Sequence, residues 1–324
     1  MASDSWSRFE QSKERVSNNE SLSYFERYSS PHTHPGGAIW RTVLQKFRVL
    51  ALFLTRRIAQ GSGKAEALAG MRQLEGRAAG KDVLLLASGP SAARINTREV
   101  AKRQKAGELV VIATNYFLHS PLATTLTPDF LVWSDSVFHP ARKSENAEAW
   151  QKVEENPEVH MVMPWTWQSI VTTMSIAPRT VYFDNDSLEG WSTNTSPLYP
   201  RGYQGSTGVK ALGFALHLEP RTVFVIGLDL SYFQSFRVDS DNRVVRQPTH
   251  LQGTDSGIQD ISGHTINGIA DSLYSTANQF LSLKQHFSGH PIVNLDPDSL
   301  VDAFDKVTEH PLVKKAPRKK TTGS

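Results

Sequence analysis

Residues 81–91 read KDVLLLASGPS. A run of Val and Leu stops abruptly in Ser-Gly-Pro-Ser, and an apolar strand that ends in small residues often begins a nucleotide-binding sheet. Gly and Pro end the strand and turn the chain tightly. The stretch therefore predicts the first strand of an open α/β sheet, with a short loop at its carboxyl end that faces a ligand.

Further apolar runs alternate with helical patterns along the rest of the chain. The predicted strands are residues 83–87, 109–113, 130–133, 160–163, 180–183, 222–226 and 292–295. Nearly continuous apolarity is typical of strands that are buried on both faces, as in a parallel sheet. The predicted fold class is therefore α/β, Rossmann-like, with a mainly parallel sheet and helices on both of its faces.

Polar residues follow these strands, and ligands of parallel sheets bind beyond the carboxyl ends of the strands. They include Ser88, Ser91, Asn115, Ser134, Asp135, Asp184, Asn185, Asp229 and Asp296. Ordinary turns also require polar residues, so the set indicates a binding rim better than any one member does. Asp229 has two equally weighted interpretations, a carboxylate that positions an acceptor or a plain turn residue.

One helix stands between two strong strand signals, at residues 206–219. It opens with Ser206, Thr207 and Gly208 and closes before Pro220, which fits an N-cap and a stop signal. The free amides of such a helix start can hold a phosphate.

Composition indicates one large domain with appendages, because 324 residues with 39% hydrophobic residues can bury a full core. We expect a polar, disordered N-terminus at 1–37, a Rossmann-like catalytic domain at 81–310 and a basic tail at 311–324. Residues 231–264 have little apolar periodicity and predict a lid-like active-site loop. No signal peptide is expected, since the first 37 residues have no apolar stretch.

Residues 38–60 predict a basic amphipathic helix. Its apolar positions are Trp40, Val43, Leu44, Phe47, Ala51, Leu54 and Ile58, and five Arg and Lys side chains interrupt them. Its longest stretch without ionisable residues, 49–55, is far below the ~20 residues that a membrane-spanning helix needs. We expect a cytoplasmic protein, and two interpretations of the helix remain open: it lies on the inner face of an anionic membrane, as in a peripheral protein, or it packs on the core.

Several kinds of site are excluded or disfavoured. The chain has no Cys, so a thiolate nucleophile, a disulfide framework and a Cys metal site are excluded. GSGK at 61–64 lacks the first glycine and the final hydroxyl of a phosphate loop, and no G-x-G-x-x-G is present. Nucleic acid is not an expected partner, because the basic residues crowd the termini without interleaved aromatic residues.

Five segments together resemble the bacterial sialyltransferases of glycosyltransferase family 42. They are LLLASGPSA, VIATNYF, GSTGVKALGFALHLEPRTVFVIGLDLSYF, ISGHTINGIADSL and IVNLDPDSLVDAF, in the family's order and at similar spacing across roughly residues 83–304. Family members open with an Asn-Gly-Pro-Ser-Leu loop at the nucleotide and carry a late Gly-His pair. The His of that pair is the family's catalytic base.

The resemblance implies transfer of an acidic sugar, sialic acid-like or Kdo-like, from a CMP donor to a cell-surface glycan or glycolipid, as in lipopolysaccharide biosynthesis. It implies inversion, no metal and no cofactor. It places Ser88, Gly89, Pro90, Ser91 and Asn115 around CMP, and Ser206, Thr207 and Gly208 near the donor phosphate and sugar. The implied catalytic residues are His264 as base, Asp229 at a strand end, and Tyr232, whose phenol stabilises the departing phosphate.

This sequence departs from the family at three positions. Ser88 replaces the loop Asn, Gln204 replaces an Arg, and Ser231 stands where a Tyr is expected, with Tyr232 one residue later. A catalytically inactive relative that binds a nucleotide or glycan therefore stays an alternative.

A second resemblance competes. TPDFLVWSDS and GLDLSYF are similar to the MptE-like 6-hydroxymethylpterin diphosphokinase and flagellar accessory group. In that group Asp135 and Asp229 would hold the Mg²⁺ that accompanies ATP. Metal dependence separates the two hypotheses.

Overall fold

The structure is a computed structural model that describes residues 47, 50–51, 53–55, 63–189, 191–203, 205–246, 251, 259–260 and 269–314. The predicted N-terminus at 1–37, His264 and most of the 311–324 tail lie outside these residues. In the described part of the chain no helix is long and apolar enough to cross a membrane.

The element bounds are as follows. The helices are α1 Gly63–Ala67, α2 Ala69–Arg72, α3 Thr97–Lys105, α4 Ala147–Glu154, α5 Gln168–Val171, α6 Thr207–His217 and α7 Ile269–Phe287, and residues 47, 50–51 and 53–55 are also helical. The strands are β1 Asp82–Leu86, β2 Leu109–Thr114, β3 Phe130–Val132, β4 His160–Pro164, β5 Thr180–Phe183, β6 Thr222–Ile226, β7 Phe236–Val238, β8 Val244–Arg246, β9 Gln259–Asp260, β10 Ile292–Asn294 and β11 Asp305–Lys306. Short 3₁₀ turns are Pro90–Arg94, Phe117–His119, Pro121–Thr124, Ser136–Phe138, Pro140–Asn146, Trp165–Trp167, Ala177–Arg179 and Tyr232–Ser235.

The main sheet confirms the predicted fold class. Its eight strands run in the order β11-β10-β6-β1-β2-β3-β4-β5, and all of the pairings between them are parallel. Each predicted strand is present, with ends that differ by one residue at most. After β5 the chain returns to pair β6 with β1, so the strand order reverses there. Ligands of open α/β sheets bind at such a switch point.

Two apolar layers cover the sheet because side chains alternate along each strand. In β1, Leu84 and Leu86 join the layer with Trp133 and Trp150, whereas Val83 and Leu85 join the layer that contains α6. The α6 residues are nearly all buried, which explains an apolar helix with few polar positions. The switch point and the α6 start therefore lie at the carboxyl ends of the central strands, which are covered on both faces.

The 231–264 insertion carries strands that the sequence did not predict. It contains a small antiparallel sheet in the order β7-β8-β9. A turn joins β7 to β8, where Asp239 accepts backbone hydrogen bonds from Asp241 and Arg243 and Asn242 has φ of 60°. Strands of two or three residues are too short for period-two alternation to appear in the sequence.

At the amino ends of the parallel strands, Asp82 links three elements: β1, α3 and the segment before β6. It accepts hydrogen bonds from Arg103 of α3 at 2.5 Å and from Arg221, which precedes β6, at 2.8 and 2.9 Å. Burial raises the pKa of Asp82, but the hydrogen bonds and charges of Arg221 and Arg103 outweigh burial and leave the pKa below its usual value. Ionised Asp82 therefore stabilises the packing of α3 and the α6–β6 connection on β1.

We expect Asp82→Asn to lower the free energy of unfolding by about 1–3 kcal/mol at pH 7, because it weakens buried charge-assisted hydrogen bonds. The lowered pKa means that this contribution is present above the unfolded value near 3.9 and is lost as the pH falls below it. Urea unfolding at pH 7 and below pH 4 measures both effects. The control is Asp302→Asn, which removes an exposed pair with Lys284 and should change stability far less than Asp82→Asn does, because solvent screens exposed pairs. Equal losses in the two variants would contradict the prediction.

Candidate functional site

The loop at residues 88–91, here called the nucleotide loop, is fastened to the end of β6. The Ser91 backbone N–H donates to Asp229 Oδ2 at 3.2 Å, and the Ser91 hydroxyl donates to Asp229 Oδ1. The same hydroxyl accepts the Gly227 N–H at 2.9 Å. A Cβ on Gly89 would overlap the Asp229 carboxylate and the Gly227 carbonyl oxygen, so only glycine allows this approach. The predicted site residues Gly89, Ser91 and Asp229 are thus brought together at the switch point.

Asp229 is buried, and only Ser91 and Arg94 favour its ionised form among the groups that shift its pKa. Burial raises its pKa, the two Ser91 hydrogen bonds oppose that rise, nearby Asp296 adds to it, and Arg94 opposes it. Arg94 is itself paired with Asp296 at 2.8 Å. Because both carboxylate oxygens accept hydrogen bonds from Ser91, Asp229 holds the nucleotide loop in place in this structure.

Asn115 follows β2 in the left-handed region, with φ of 53°. Its backbone is held there, since its N–H donates to the Val132 carbonyl at 3.2 Å and its carbonyl accepts Trp133 Nε1 at 2.9 Å. Its side-chain Oδ1 is buried without a hydrogen-bond partner, as is the hydroxyl of neighbouring Thr114, which is 1% exposed. Strained backbone and unpartnered polar atoms tend to occur where a ligand completes the site.

The start of α6 lies against the ends of β1 and β3. Gly208 packs so closely that a Cβ would lie 2.9 Å from Leu228 and 3.5 Å from Ala87. The Thr207 hydroxyl and the Ser134 hydroxyl are 2.7 Å apart. Ser206 is the N-cap residue, but its side chain makes no capping hydrogen bond. The amides of the first turn therefore remain available to an anion at the carboxyl-end rim.

Lys210, one turn into α6, belongs to this cluster and was not among the residues singled out in the sequence. Its Nζ donates to Ser134 Oγ at 3.2 Å. Desolvation, followed by the positive charge of Arg201, lowers the pKa of Lys210 to about 7, although Asp135 acts in the opposite direction. Asp135 is exposed, and among the described residues no carboxylate forms a salt bridge with Lys210. The direct hydrogen-bond partner of Lys210 is thus the Ser134 hydroxyl, and the positive charge of Arg201 acts on Lys210 through space.

Arg201 lies on the loop before α6, and its positive charge acts on Lys210. Its Nη1 donates to the Asn185 carbonyl at 2.6 Å, and its Nε is buried without a partner. Desolvation lowers its pKa. The nearby acidic pair, Asp184 and Asp186, is held by Lys64, whose Nζ lies 2.7 Å from a carboxylate oxygen of each. The GSGK lysine thus has a structural partner, in line with its rejection as a phosphate loop.

The 231–264 insertion contacts the nucleotide loop. The Leu251 N–H donates to the Ser88 carbonyl at 2.9 Å, and Leu251 is buried. The backbone of Tyr232 begins the 3₁₀ turn Tyr232–Ser235 just beyond Asp229. The Tyr232 side chain, Gln204 and His264 lie outside what the structure describes, so the predicted roles of Tyr232 and His264 stay predictions.

Other features do not add to this site. A cavity of about 280 Å³ lies at the opposite edge of the sheet, between His217, Pro220 and His290. In the described residues no group of three His, Asp or Glu is arranged to hold a metal ion. Asp135, the other candidate Mg²⁺ ligand, accepts the Val137 N–H at 3.2 Å and caps a 3₁₀ turn.

The chain has a limited structural likeness to solved structures. No protein-family model and no curated protein sequence matches the chain. A solved structure, the MAf glycosyltransferase from Magnetospirillum magneticum AMB-1, aligns with 75% of this chain at 14% identity and a TM-score of 0.42. The alignment spans 38% of that protein's chain. At this TM-score the likeness says nothing about the activity of the present chain.

The lowered pKa of Lys210 makes a prediction about stability. From about 7, its value in the folded protein, to 10.5, its ordinary value, the unfolded chain binds the proton and the folded chain does not. The free energy of unfolding should therefore gain a positive slope with pH in this window, and Lys210→Met should remove that slope and raise stability at pH 7.

Denaturant unfolding of both proteins at several pH values between 6 and 10 measures the difference. The matched control is Lys102→Met, an exposed lysine of α3 that pairs with Glu99, and its curve should run parallel to that of the wild type. Parallel curves for Lys210→Met and the wild type would show that Lys210 keeps its proton in the fold.

Proposed function

We propose that this protein is a glycosyltransferase that moves an acidic sugar from a CMP donor to a hydroxyl of a glycan or glycolipid, with inversion. The observation that supports the proposal is the α6 start, where the first-turn amides, the hydroxyls of Ser134 and Thr207 and the desolvated Lys210 lie beside the switch point. This arrangement suits a phosphate that gains negative charge during the reaction.

The nucleotide loop and Asn115 are the proposed CMP site. The loop supplies backbone groups and the Ser88 hydroxyl at the switch point, and Asn115 offers an unpartnered amide oxygen. An amide oxygen accepts from an exocyclic amine, which cytosine carries. The strained backbone of Asn115 keeps the amide at the carboxyl-end rim without rearrangement when the donor binds.

The α6 start is the proposed phosphate site. The free amides, Thr207 and Lys210 can all donate to phosphate oxygens, and Thr114 has a spare hydroxyl on the sheet face that carries α6. Binding an anion relieves the repulsion between Lys210 and Arg201, so the donor would raise the pKa of Lys210 and keep it charged. A leaving CMP carries a single phosphate, and these donors can stabilise its charge in the role that a metal has for a diphosphate.

The proposed reaction is a single displacement. The acceptor oxygen attacks the anomeric carbon of the sugar, and the bond from that carbon to the phosphate oxygen breaks. The electron pair of the broken bond stays on CMP. His264 removes the proton of the acceptor hydroxyl, because an imidazole with a pKa near 6.5 is a suitable base at neutral pH.

Calorimetry with CMP-sialic acid, CMP-Kdo and CMP, without added metal, tests the donor site. At least one should bind, and Lys210→Met should weaken binding about tenfold or more, the usual loss for a hydrogen bond to a charged group. Affinity of the wild type should fall as pH rises above about 7, where Lys210 loses its proton, because a phosphodiester does not titrate there. Lys102→Met is again the control.

Binding of ATP with Mg²⁺ and no binding of any CMP compound would replace this proposal with the MptE-like diphosphokinase. Binding of CMP compounds without transfer to any acceptor would favour the inactive, nucleotide-binding relative.

His264→Asn separates binding from chemistry. The variant should keep donor affinity and lose transfer by the ~10²–10⁴-fold that a general base supplies, with residual activity that rises with pH. Asn115→Ala should instead weaken donor binding first, because an amide holds the nucleotide and moves no proton. Single-turnover transfer rates and donor Kd values distinguish the two. Wild-type turnover by His264→Asn at neutral pH would remove His264 from the mechanism.

A further inference from the structure

The apolar side of the 38–60 segment faces outward where the structure describes it. Phe47 is 58% exposed and Leu54 is 48% exposed, and Ala51 between them is exposed as well. Residues that are three, four or seven apart lie on one side of a helix. Phe47, Ala51 and Leu54, here called the apolar stripe, are therefore a helix face that the core does not cover.

Two further exposed aromatic residues lie on the connection between β5 and α6, and one of them contacts the stripe. The rings of Phe47 and Trp191 are in edge-to-face contact, with centroids 6.1 Å apart, and Trp191 is 45% exposed. Tyr199, on the same connection between β5 and α6, is 61% exposed. Trp and Tyr are enriched where a protein meets a membrane–water boundary, because each has an apolar ring and one polar atom.

The positive charge of the 38–60 segment favours a negatively charged partner. Residues 38–60 contain Arg41, Lys46, Arg48, Arg56 and Arg57 and no Asp or Glu. Five cations in the same segment of sequence as the apolar stripe repel a second copy of that segment and attract a surface of negative headgroups. We infer that the apolar stripe and Trp191 dock on an anionic lipid surface, with the helix lying in the plane of the headgroups.

Vesicle flotation of the full-length protein tests the inference. Vesicles with 30% phosphatidylglycerol in phosphatidylcholine should carry the wild type, and phosphatidylcholine alone should not. Raising NaCl from 50 to 500 mM should weaken binding several-fold. The double variant Phe47→Ser/Leu54→Ser should lower the partition coefficient about tenfold or more, because it removes most of the apolar area that enters the lipid.

The matched control is Leu281→Ser/Leu300→Ser, which changes two other exposed apolar side chains, 49% and 46% exposed, and should leave binding unchanged. Quenching by brominated lipid should include a component that Trp191→Phe removes. Absence of wild-type binding, or equal binding by both double variants, would overturn the inference. So would a dimer in light scattering without lipid that Phe47→Ser/Leu54→Ser converts to monomer. CMP-donor affinity should not differ among these variants, so the lipid and donor proposals succeed or fail separately.

Discussion

The hydrogen bonds between Ser91 and Asp229 are the constraint on which the candidate site depends. They join the loop after β1 to the end of β6, across the point where the strand order reverses. Gly89 and Gly227 make the contact possible, since side chains there would overlap the facing backbone. The site is held by residues that are neighbours in the sheet and are more than a hundred positions apart in the chain.

The contact also changes what Asp229 does. A buried carboxylate at a strand end is a frequent position for a reacting group or a metal ligand. Here both of its oxygens accept hydrogen bonds from Ser91, and burial raises its pKa. In this structure Asp229 holds the nucleotide loop against the end of β6, and its predicted role toward an acceptor stays a prediction. Buried polar atoms without a hydrogen-bond partner lie at the end of β2, on Thr114 and Asn115.

At the α6 start, the burial of Lys210 destabilises the fold and at the same time favours the binding of an anion. Lys210 and Arg201 share a desolvated region, and each carries a lowered pKa for that reason first. The charges of Glu189, Asp184 and Asp186 oppose that effect at Arg201. No carboxylate among the described residues forms a salt bridge with Lys210, so an anion that binds beside Lys210 would stabilise the fold. The same electrostatics that weakens the empty protein would strengthen its hold on a phosphate.

The sequence alone determined the parallel α/β fold, because the seven apolar runs are long and uninterrupted enough to predict buried strands. It also located the nucleotide loop, Asn115 and the α6 start, since each follows or precedes such a run. It missed Arg201 and Lys210 as a pair, and the only local signal was a lysine inside the otherwise apolar VKALGFALH. Tertiary structure alone decided three features: the effect of the Arg201 charge on Lys210, the contact between Ser134 and Thr207, and the hydrogen bonds from Ser91 to Asp229. Desolvation and charge proximity depend on which segments the sheet order brings together, and that order is not written in any single stretch of the chain.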